Sequence, residues 1–143
     1  MSGVSEHVPP QYQKPLPAPS PVSQPFWEGL RERELRIQRC ADCGRHVFYP
    51  RSVCPHCLSE ELAWVNASGR GTLYSYTIVR RAMNPAFQAD VPYVFAIVEL
   101  EEGPRVTTNI VNCDLGSLRV DMPVKAVYDN VTPEVALLKF EPA

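Results

Sequence analysis

Two cysteine pairs decide how the centre of this 143-residue chain folds: Cys40-Ala41-Asp42-Cys43-Gly44 and Cys54-Pro55-His56-Cys57-Leu58. Two residues separate the cysteines within each pair, and ten residues separate the pairs. Each pair can form a tight turn that brings both sulfurs to one ion, and two such turns complete a tetrahedral site. The spacing therefore predicts one zinc site with four ligands, which are Cys40, Cys43, Cys54 and Cys57.

Zinc is not the only chemistry that four cysteines support. Four thiolates also hold iron in rubredoxin-like centres, and a C-x2-C pair can form a disulfide in a redox protein. Nothing else in the sequence indicates redox work, and clustered cysteines in a reducing compartment favour metal binding. A closed four-thiolate site has no open position for a substrate, so we expect the metal to be structural.

The composition indicates a small protein without a membrane span. Apolar residues make up 45% of the chain, charged residues make up 21%, and the net charge is −2. No continuous apolar run reaches the roughly 18 residues that a membrane helix needs. Residues 1–25 lack the basic and apolar regions of a secretory signal, so we expect a cytoplasmic protein.

The N-terminal residues differ in texture from the rest of the chain. Residues 1–24 are rich in Pro, Ser and Gln and show almost no apolar periodicity, which predicts a disordered or extended arm. A strap that lies on the body of the protein or on a partner is the alternative.

A short helix and a lead-in strand are predicted over residues 25–38. Ser23 is a candidate N-cap, and Pro25 is tolerated in the first turn. Phe26, Trp27 and Leu30 follow on helical spacing, so they either pack on the core or form part of a ligand or subunit surface.

The chain from residue 62 onward has the texture of a β-protein. Predicted strands, separated by Gly-rich and Pro-rich turns, cover residues 62–66, 72–80, 93–100, 105–112, 123–129 and 135–140. Short strands with no long helix between them indicate a small closed barrel of about five strands over residues 62–143.

The sequence offers no convincing catalytic set. Cys113 stands alone and is either a packed thiol or a nucleophile, and a nucleophile needs a neighbouring base. His7 lies in the arm, whereas His46 and His56 lie in the cysteine-rich segment. We therefore do not expect a stand-alone enzyme.

Several strings together carry a family resemblance. They are Phe26-Trp27-Glu28-Gly29-Leu30, the two cysteine pairs, Ser68-Gly69-Arg70-Gly71-Thr72, Tyr74-Ser75-Tyr76 and Pro92-Tyr93. Over about residues 25 to 142 the chain resembles the OB-fold proteins with a rubredoxin-like zinc ribbon that associate with acyl-CoA enzymes. Leu58 departs from this pattern, because the second knuckle of the family often has glycine there.

The resemblance implies both a fold and a role. The implied fold is mainly β: a short N-terminal helix, a rubredoxin-like four-cysteine zinc ribbon over residues 39–61 and a five-stranded OB-fold barrel. The implied role is a non-catalytic accessory subunit that helps to hold acyl-CoA and completes the active site of a thiolase-fold partner. Such partners are thiolases, acyltransferases and retro-aldolases.

The CoA moiety carries phosphates, an adenine and a long neutral arm, so it needs cations and aromatic or apolar surfaces. A group of five residues on or just after one predicted strand offers this mixture: Tyr74, Tyr76, Arg80, Arg81 and Phe87. Tyr74 and Tyr76 are two residues apart, so we expect them to lie on one face of that strand. The alternatives are that the tyrosines pack within the barrel and that the arginines are a solvated strand end.

A nucleic-acid-binding module is the competing hypothesis, because OB barrels and zinc ribbons both serve that purpose. Residues 26–57 carry six arginines and four acidic residues, but residues 58–143 carry seven basic and eleven acidic residues. The resulting −4 on the barrel segment disfavours binding to a phosphate backbone.

Overall fold

The computed structural model describes residues 14–143, in which one short α-helix precedes eight strands. The elements are α1 (Gln24–Arg31), β1 (Arg36–Cys40), β2 (His46–Val47), β3 (Leu62–Asn66), β4 (Arg70–Val79), β5 (Tyr93–Leu100), β6 (Arg105–Ile110), β7 (Pro123–Asn130) and β8 (Ala136–Pro142). Two 3-10 helices, Pro85–Asp90 and Leu115–Ser117, lie between strands. The predicted mainly β fold class is confirmed.

Helix α1 begins at Gln24 with Pro25 in its first turn, and it buries Phe26, Gly29 and Leu30. The predicted capping role of Ser23 is wrong, because its side chain makes no hydrogen bond to the helix. Instead, Ser23 Oγ accepts a hydrogen bond from the backbone N–H of Ser20 at 3.0 Å. The Ser23 carbonyl oxygen accepts from the Phe26 N–H, so the backbone alone closes the first turn.

The cysteine-rich segment is built on a three-stranded antiparallel sheet in the order β2-β1-β3. β3 pairs with β1 along its whole length, from Arg36 opposite Asn66 to Cys40 opposite Leu62. Our assignment of residues 62–66 to the barrel is therefore wrong. Strand alternation identifies a strand, but it does not identify the neighbour with which the strand pairs.

The remaining strands form a closed barrel in the order β4-β5-β6-β8-β7, which confirms the predicted five-stranded OB-fold barrel. The bounds of β5 agree with the prediction, whereas β4 begins two residues earlier, at Arg70. β6 stops at Ile110, before Asn112 adopts a φ of +53°. β6 meets β8 through only one residue pair, Ile110 opposite Phe140.

Gly71 lies where the barrel closes, because it pairs with Leu100 of β5 and with Val124 of β7. A Cβ atom at this position would lie 2.4 Å from the carbonyl oxygen of Glu99. No other residue fits without moving backbone, so the close approach of β4 and β5 requires glycine here.

One apolar core joins the helix, the ribbon sheet and the barrel. Leu30 of α1 and Ile37 of β1 belong to the same buried cluster as Leu73, Val98 and Phe140 of the barrel. Packing therefore holds the helix and the ribbon in a defined position against the barrel.

Residues 1–13, which make up much of the predicted arm, lie outside the described residues. Residues 14–20 form no helix or strand. Lys14 Nζ lies 2.5 Å from Asp90 Oδ2 and 5.8 Å from the centre of the Phe87 ring. This end of the arm contacts the body, as the strap alternative predicts.

The longest helix among residues 14–143 has eight residues. None of the described helices therefore has the length or apolar content that is needed to cross a bilayer.

Candidate functional site

The two cysteine pairs form two knuckles with matching backbone geometry. In the first, the Gly44 N–H donates to the Cys40 carbonyl at 2.9 Å, and in the second the Leu58 N–H donates to the Cys54 carbonyl at 2.8 Å. Both donor residues have positive φ, +78° for Gly44 and +67° for Leu58. Leucine at such a φ is strained by roughly 1 kcal/mol relative to glycine. The departure at Leu58 therefore strains the knuckle but removes no ligand.

The four predicted cysteines come together in the structure, with all four Sγ atoms within 4.8 Å of one another. Cys40 Sγ lies 3.5 Å from Cys57 Sγ, and Cys43 Sγ lies 3.7 Å from Cys54 Sγ. A tetrahedral zinc site with Zn–S bonds of about 2.3 Å has S–S edges of about 3.8 Å. A disulfide would need about 2.05 Å, so the sulfur set fits a four-thiolate metal site and not a pair of disulfides.

The surroundings of Cys40 and Cys57 shift the pKa values of these two thiols in opposite directions. The Cys43 N–H donates to Cys40 Sγ and lowers the pKa of the Cys40 thiol to about 7. At Cys57 the Ser59 N–H lowers the pKa, but desolvation and the three neighbouring sulfurs outweigh it and raise the pKa to about 12. With its raised pKa the Cys57 thiol does not ionise unaided near neutral pH, so a cation is needed to complete a set of four thiolates.

Cys40 and Cys54 are buried, whereas Cys43 and Cys57 are exposed at the edge of the ribbon. Four thiolates and one Zn²⁺ would carry a formal charge of −2. Arg45 lies close by, with Nη1 3.2 Å from His56 Nδ1, and Arg39 donates from Nε to the Gly44 carbonyl. These arginines thus support the knuckles through a backbone contact and a histidine contact.

Sequence reasoning missed one supporting residue, Gln38. Its side chain is buried, and its amide binds both backbone groups of Arg51: Nε2 donates to the Arg51 carbonyl, and Oε1 accepts from the Arg51 N–H, each at 2.7 Å. This double hydrogen bond ties β1 to the segment that leads into the second knuckle. In the sequence Gln38 lies in the predicted lead-in strand, and nothing in its local pattern indicates this role.

The predicted ligand residues Tyr74 and Tyr76 do not share a face. A β-bulge separates the Leu73–Val98 pair from the Ser75–Ile97 pair, which leaves Tyr74 as the extra residue. Tyr74 is exposed and lies under the Arg105 guanidinium at 3.8 Å. Tyr76 pairs with the buried Ala96 and donates its hydroxyl to the Leu118 carbonyl at 3.2 Å. Our same-face expectation is therefore wrong.

Arg80, Arg81 and Phe87 belong to the connection between β4 and β5, and both arginines are exposed. Phe87 is half-buried and packs on Tyr93, with ring centres 6.3 Å apart. Phe87 lines a cavity of about 490 Å³ beside the ends of β6 and β8, whereas the two arginines do not line it. The structure thus places some of the predicted ligand residues, but not all of them, together at one end of the barrel.

Cys113 lines the same cavity. Burial and the Asp114 carboxylate raise the pKa of the Cys113 thiol, so the unreactive thiol form prevails near neutral pH. His46 and His56 stay in the ribbon and line a different groove, between the ribbon and the barrel. Within the described chain, neither histidine lines the cavity that holds Cys113.

Comparison with known proteins places both halves of the described chain. The model of the ChsH2 rubredoxin-like zinc ribbon domain matches residues 27–63, and the model of the ChsH2 C-terminal OB-fold domain matches residues 64–129. The junction between the two models falls inside β3, so the OB-fold model includes three residues of a strand that pairs with β1.

Relatives of this chain fall into two size classes. It is 38% identical over 107 residues to a DUF35 domain-containing scaffold protein of Methanocaldococcus jannaschii, which covers 73% of this chain and 75% of that protein. It is also 38% identical over 134 residues to a probable enoyl-CoA hydratase alpha subunit of Thermomonospora curvata. That match covers 94% of this chain but only 41% of the relative, so the chain spans about two fifths of that protein.

Two further similarities concern named complexes. The benzoylsuccinyl-CoA thiolase subunit BbsA of Geobacter metallireducens is 35% identical over 72 residues, which are 50% of this chain and 47% of that subunit. A chain of the Ltp2-ChsH2(DUF35) aldolase superposes with a TM-score of 0.78 at 38% identity, covering 88% of this chain and 98% of that chain. The chain therefore belongs to the ChsH2 (DUF35) family, in which a rubredoxin-like zinc ribbon precedes an OB-fold domain.

Proposed function

We propose that this chain is a non-catalytic accessory subunit that holds one structural zinc ion, binds acyl-CoA and completes the active site of a thiolase-fold partner. The observation that carries the proposal is the match to a chain of the Ltp2-ChsH2(DUF35) aldolase. It covers 88% of this chain and 98% of that chain.

The relatives support a role in a complex. One is a subunit of a benzoylsuccinyl-CoA thiolase, one is a hydratase alpha subunit, and one is described as a scaffold protein. Two of these names contain a CoA ester, and none of the three describes a self-contained enzyme of this size. On this basis the partner is a thiolase, an acyltransferase or a retro-aldolase that acts on a CoA thioester.

The chemistry of the described residues supports a partner that supplies the catalytic groups. The four-thiolate site has no open coordination position, so its zinc would stabilise the fold and would not activate a substrate. The Cys113 thiol has a raised pKa, and the two described histidines line a separate groove. In the proposed complex this chain binds and positions the acyl-CoA, and the partner performs the reaction.

The charged end of CoA is proposed to contact the connection between β4 and β5. Arg80 and Arg81 are exposed there and can pair with phosphates, and Phe87 offers an aromatic face. Tyr74 is exposed and accessible for stacking. The hydroxyl of Tyr76 is bound to the Leu118 carbonyl, so Tyr76 contributes by supporting the barrel wall.

Purification of the tagged, zinc-loaded chain from the organism that encodes it tests the proposal. We expect a thiolase-fold protein to co-purify in a fixed ratio, which native mass spectrometry would establish. A chain that elutes alone at micromolar concentration, with no CoA-dependent enzyme retained, would contradict the proposed role.

A further inference from the structure

A groove follows the side of β6 that faces β8, and it is formed by two adjoining cavities of about 550 and 490 Å³. Asn109, Leu137 and Lys139 line both cavities, so the two adjoin. We call this surface the β6–β8 groove. Its floor follows β6 from Arg105 to Ile110, which is about 17 Å at the rise of an extended strand, and continues to Cys113 beyond the end of the strand.

The groove exists because β6 and β8 diverge. Their one ladder pair is Ile110 and Phe140, so residues 105–109 form no ladder pair with β8. One side-chain hydrogen bond crosses the gap, from Thr108 Oγ1 to the Leu138 carbonyl at 2.9 Å. Backbone N–H and C=O groups along such an edge require hydrogen-bond partners, which an extended chain with amide groups can supply.

One end of the groove is aromatic. Phe26, Trp27, Phe48 and Tyr49 line it, and the Phe48 ring lies edge-on to Phe26 and Tyr49 with centres 5.4 and 5.6 Å apart. Tyr49 is 43% exposed, although it belongs to this cluster. No described group accepts a hydrogen bond from the buried Trp27 Nε1. This end therefore suits an apolar group.

The other end holds balanced charges. Lys139 Nζ pairs with Asp129 Oδ2 at 2.7 Å, and Lys14 Nζ pairs with Asp90 Oδ2 at 2.5 Å. This end of the groove therefore favours an uncharged ligand segment over a phosphate. Tyr93 lines this end and pairs with Val79, so Arg80 and its charge begin immediately beyond the groove.

From one end of the groove to the other, these features match the successive parts of one molecule. We propose that the β6–β8 groove binds the pantetheine arm and an apolar acyl group of an acyl-CoA thioester. The two pantetheine amides lie along the open edge of β6, and the acyl group lies against Trp27, Phe48 and Tyr49. The phosphates remain outside, toward Arg80 and Arg81. This assignment deepens the function proposed above and rests on it.

Filling the groove tests the assignment on the zinc-loaded full chain. Thr107 is exposed on β6 and lines the groove, so Thr107→Trp fills it from the surface. Thr77 is exposed on β4 and does not line the groove, which makes Thr77→Trp the matched control. Tryptophan is well tolerated in strands, and zinc content and circular dichroism verify the fold of both variants.

The probes are decanoyl-CoA, decanoyl-pantetheine and 3′-phospho-ADP, with dissociation constants measured by isothermal titration calorimetry. We expect Thr107→Trp to weaken both decanoyl ligands by about tenfold or more, since it displaces several methylene groups, and to leave 3′-phospho-ADP unchanged. Thr77→Trp should bind all three like the original chain.

Equal affinity of decanoyl-CoA for the original chain and Thr107→Trp would overturn the groove assignment while leaving the partner role intact. No decanoyl-CoA binding by the original chain would overturn it as well, and a chain that also recruits no thiolase-fold partner would remove the proposed function itself. Loss of partner association in Thr107→Trp, with decanoyl-CoA binding unchanged, would make the groove a polypeptide site and refute the ligand assignment.

Discussion

Removal of the metal from the purified chain is expected to unfold the ribbon, residues 36–66, and to weaken the whole domain. The sheet of this segment contains one strand of two residues, so coordination of Cys40, Cys43, Cys54 and Cys57 supplies much of its stability. Zinc binding of this kind contributes on the order of 10 kcal/mol to folding. Hydrogen exchange measured by mass spectrometry during titration with a chelator should show loss of protection in β1 and β3 first.

A pair of single substitutions distinguishes the effect of losing the metal from the effect of losing a thiol group. Cys43→Ser removes one ligand from an exposed position, whereas Cys113→Ser removes a thiol outside the four-sulfur cluster. We expect Cys43→Ser to lose metal and ribbon protection and Cys113→Ser to keep both. Unchanged protection in β1 and β3 after complete metal removal would contradict a structural role for the ion.

Truncation of Phe140 is expected to give the largest loss of stability from a single barrel side chain. Phe140 is fully buried, and its carbonyl accepts the Val111 N–H beside the only pair between β6 and β8. Phe140→Ala should lower the free energy of unfolding by about 3–5 kcal/mol, because it leaves a cavity where the barrel closes. Urea denaturation followed by tryptophan fluorescence measures the change.

Phe95→Ala provides the matched control. Phe95 lies on β5 but is 46% exposed, so its removal should change stability by about 0.5 kcal/mol. Similar losses for the two variants would show that the β6–β8 junction does not control barrel stability.

The features that the sequence predicted most accurately depend on residues that lie close together in the chain. Four cysteines in two knuckles require no long-range information, and the alternation in residues 93–100 is sufficient to place β5. The type of fold followed from the number and shortness of the strands together with the family resemblance.

Features that depend on partners distant in sequence could not be predicted. The pairing of β3 with β1 rather than with the barrel is set by register, and the bulge at Tyr74 breaks the alternation on which we placed Tyr74 beside Tyr76. The β6–β8 groove arises because two neighbouring strands of the barrel diverge. In the sequence these strands are separated by β7, so no local pattern reveals the groove. Gln38 was missed for the same reason, since its partner lies 13 residues away.

The most direct test of the accessory role is a reconstitution of turnover. The co-purifying thiolase-fold protein would be assayed with its CoA thioester alone, this chain would be assayed alone, and the two would be assayed together. The account predicts full turnover only for the pair, no turnover by this chain, and a strongly reduced rate for the partner alone. Undiminished turnover by the partner alone, or turnover by this chain alone, would contradict it.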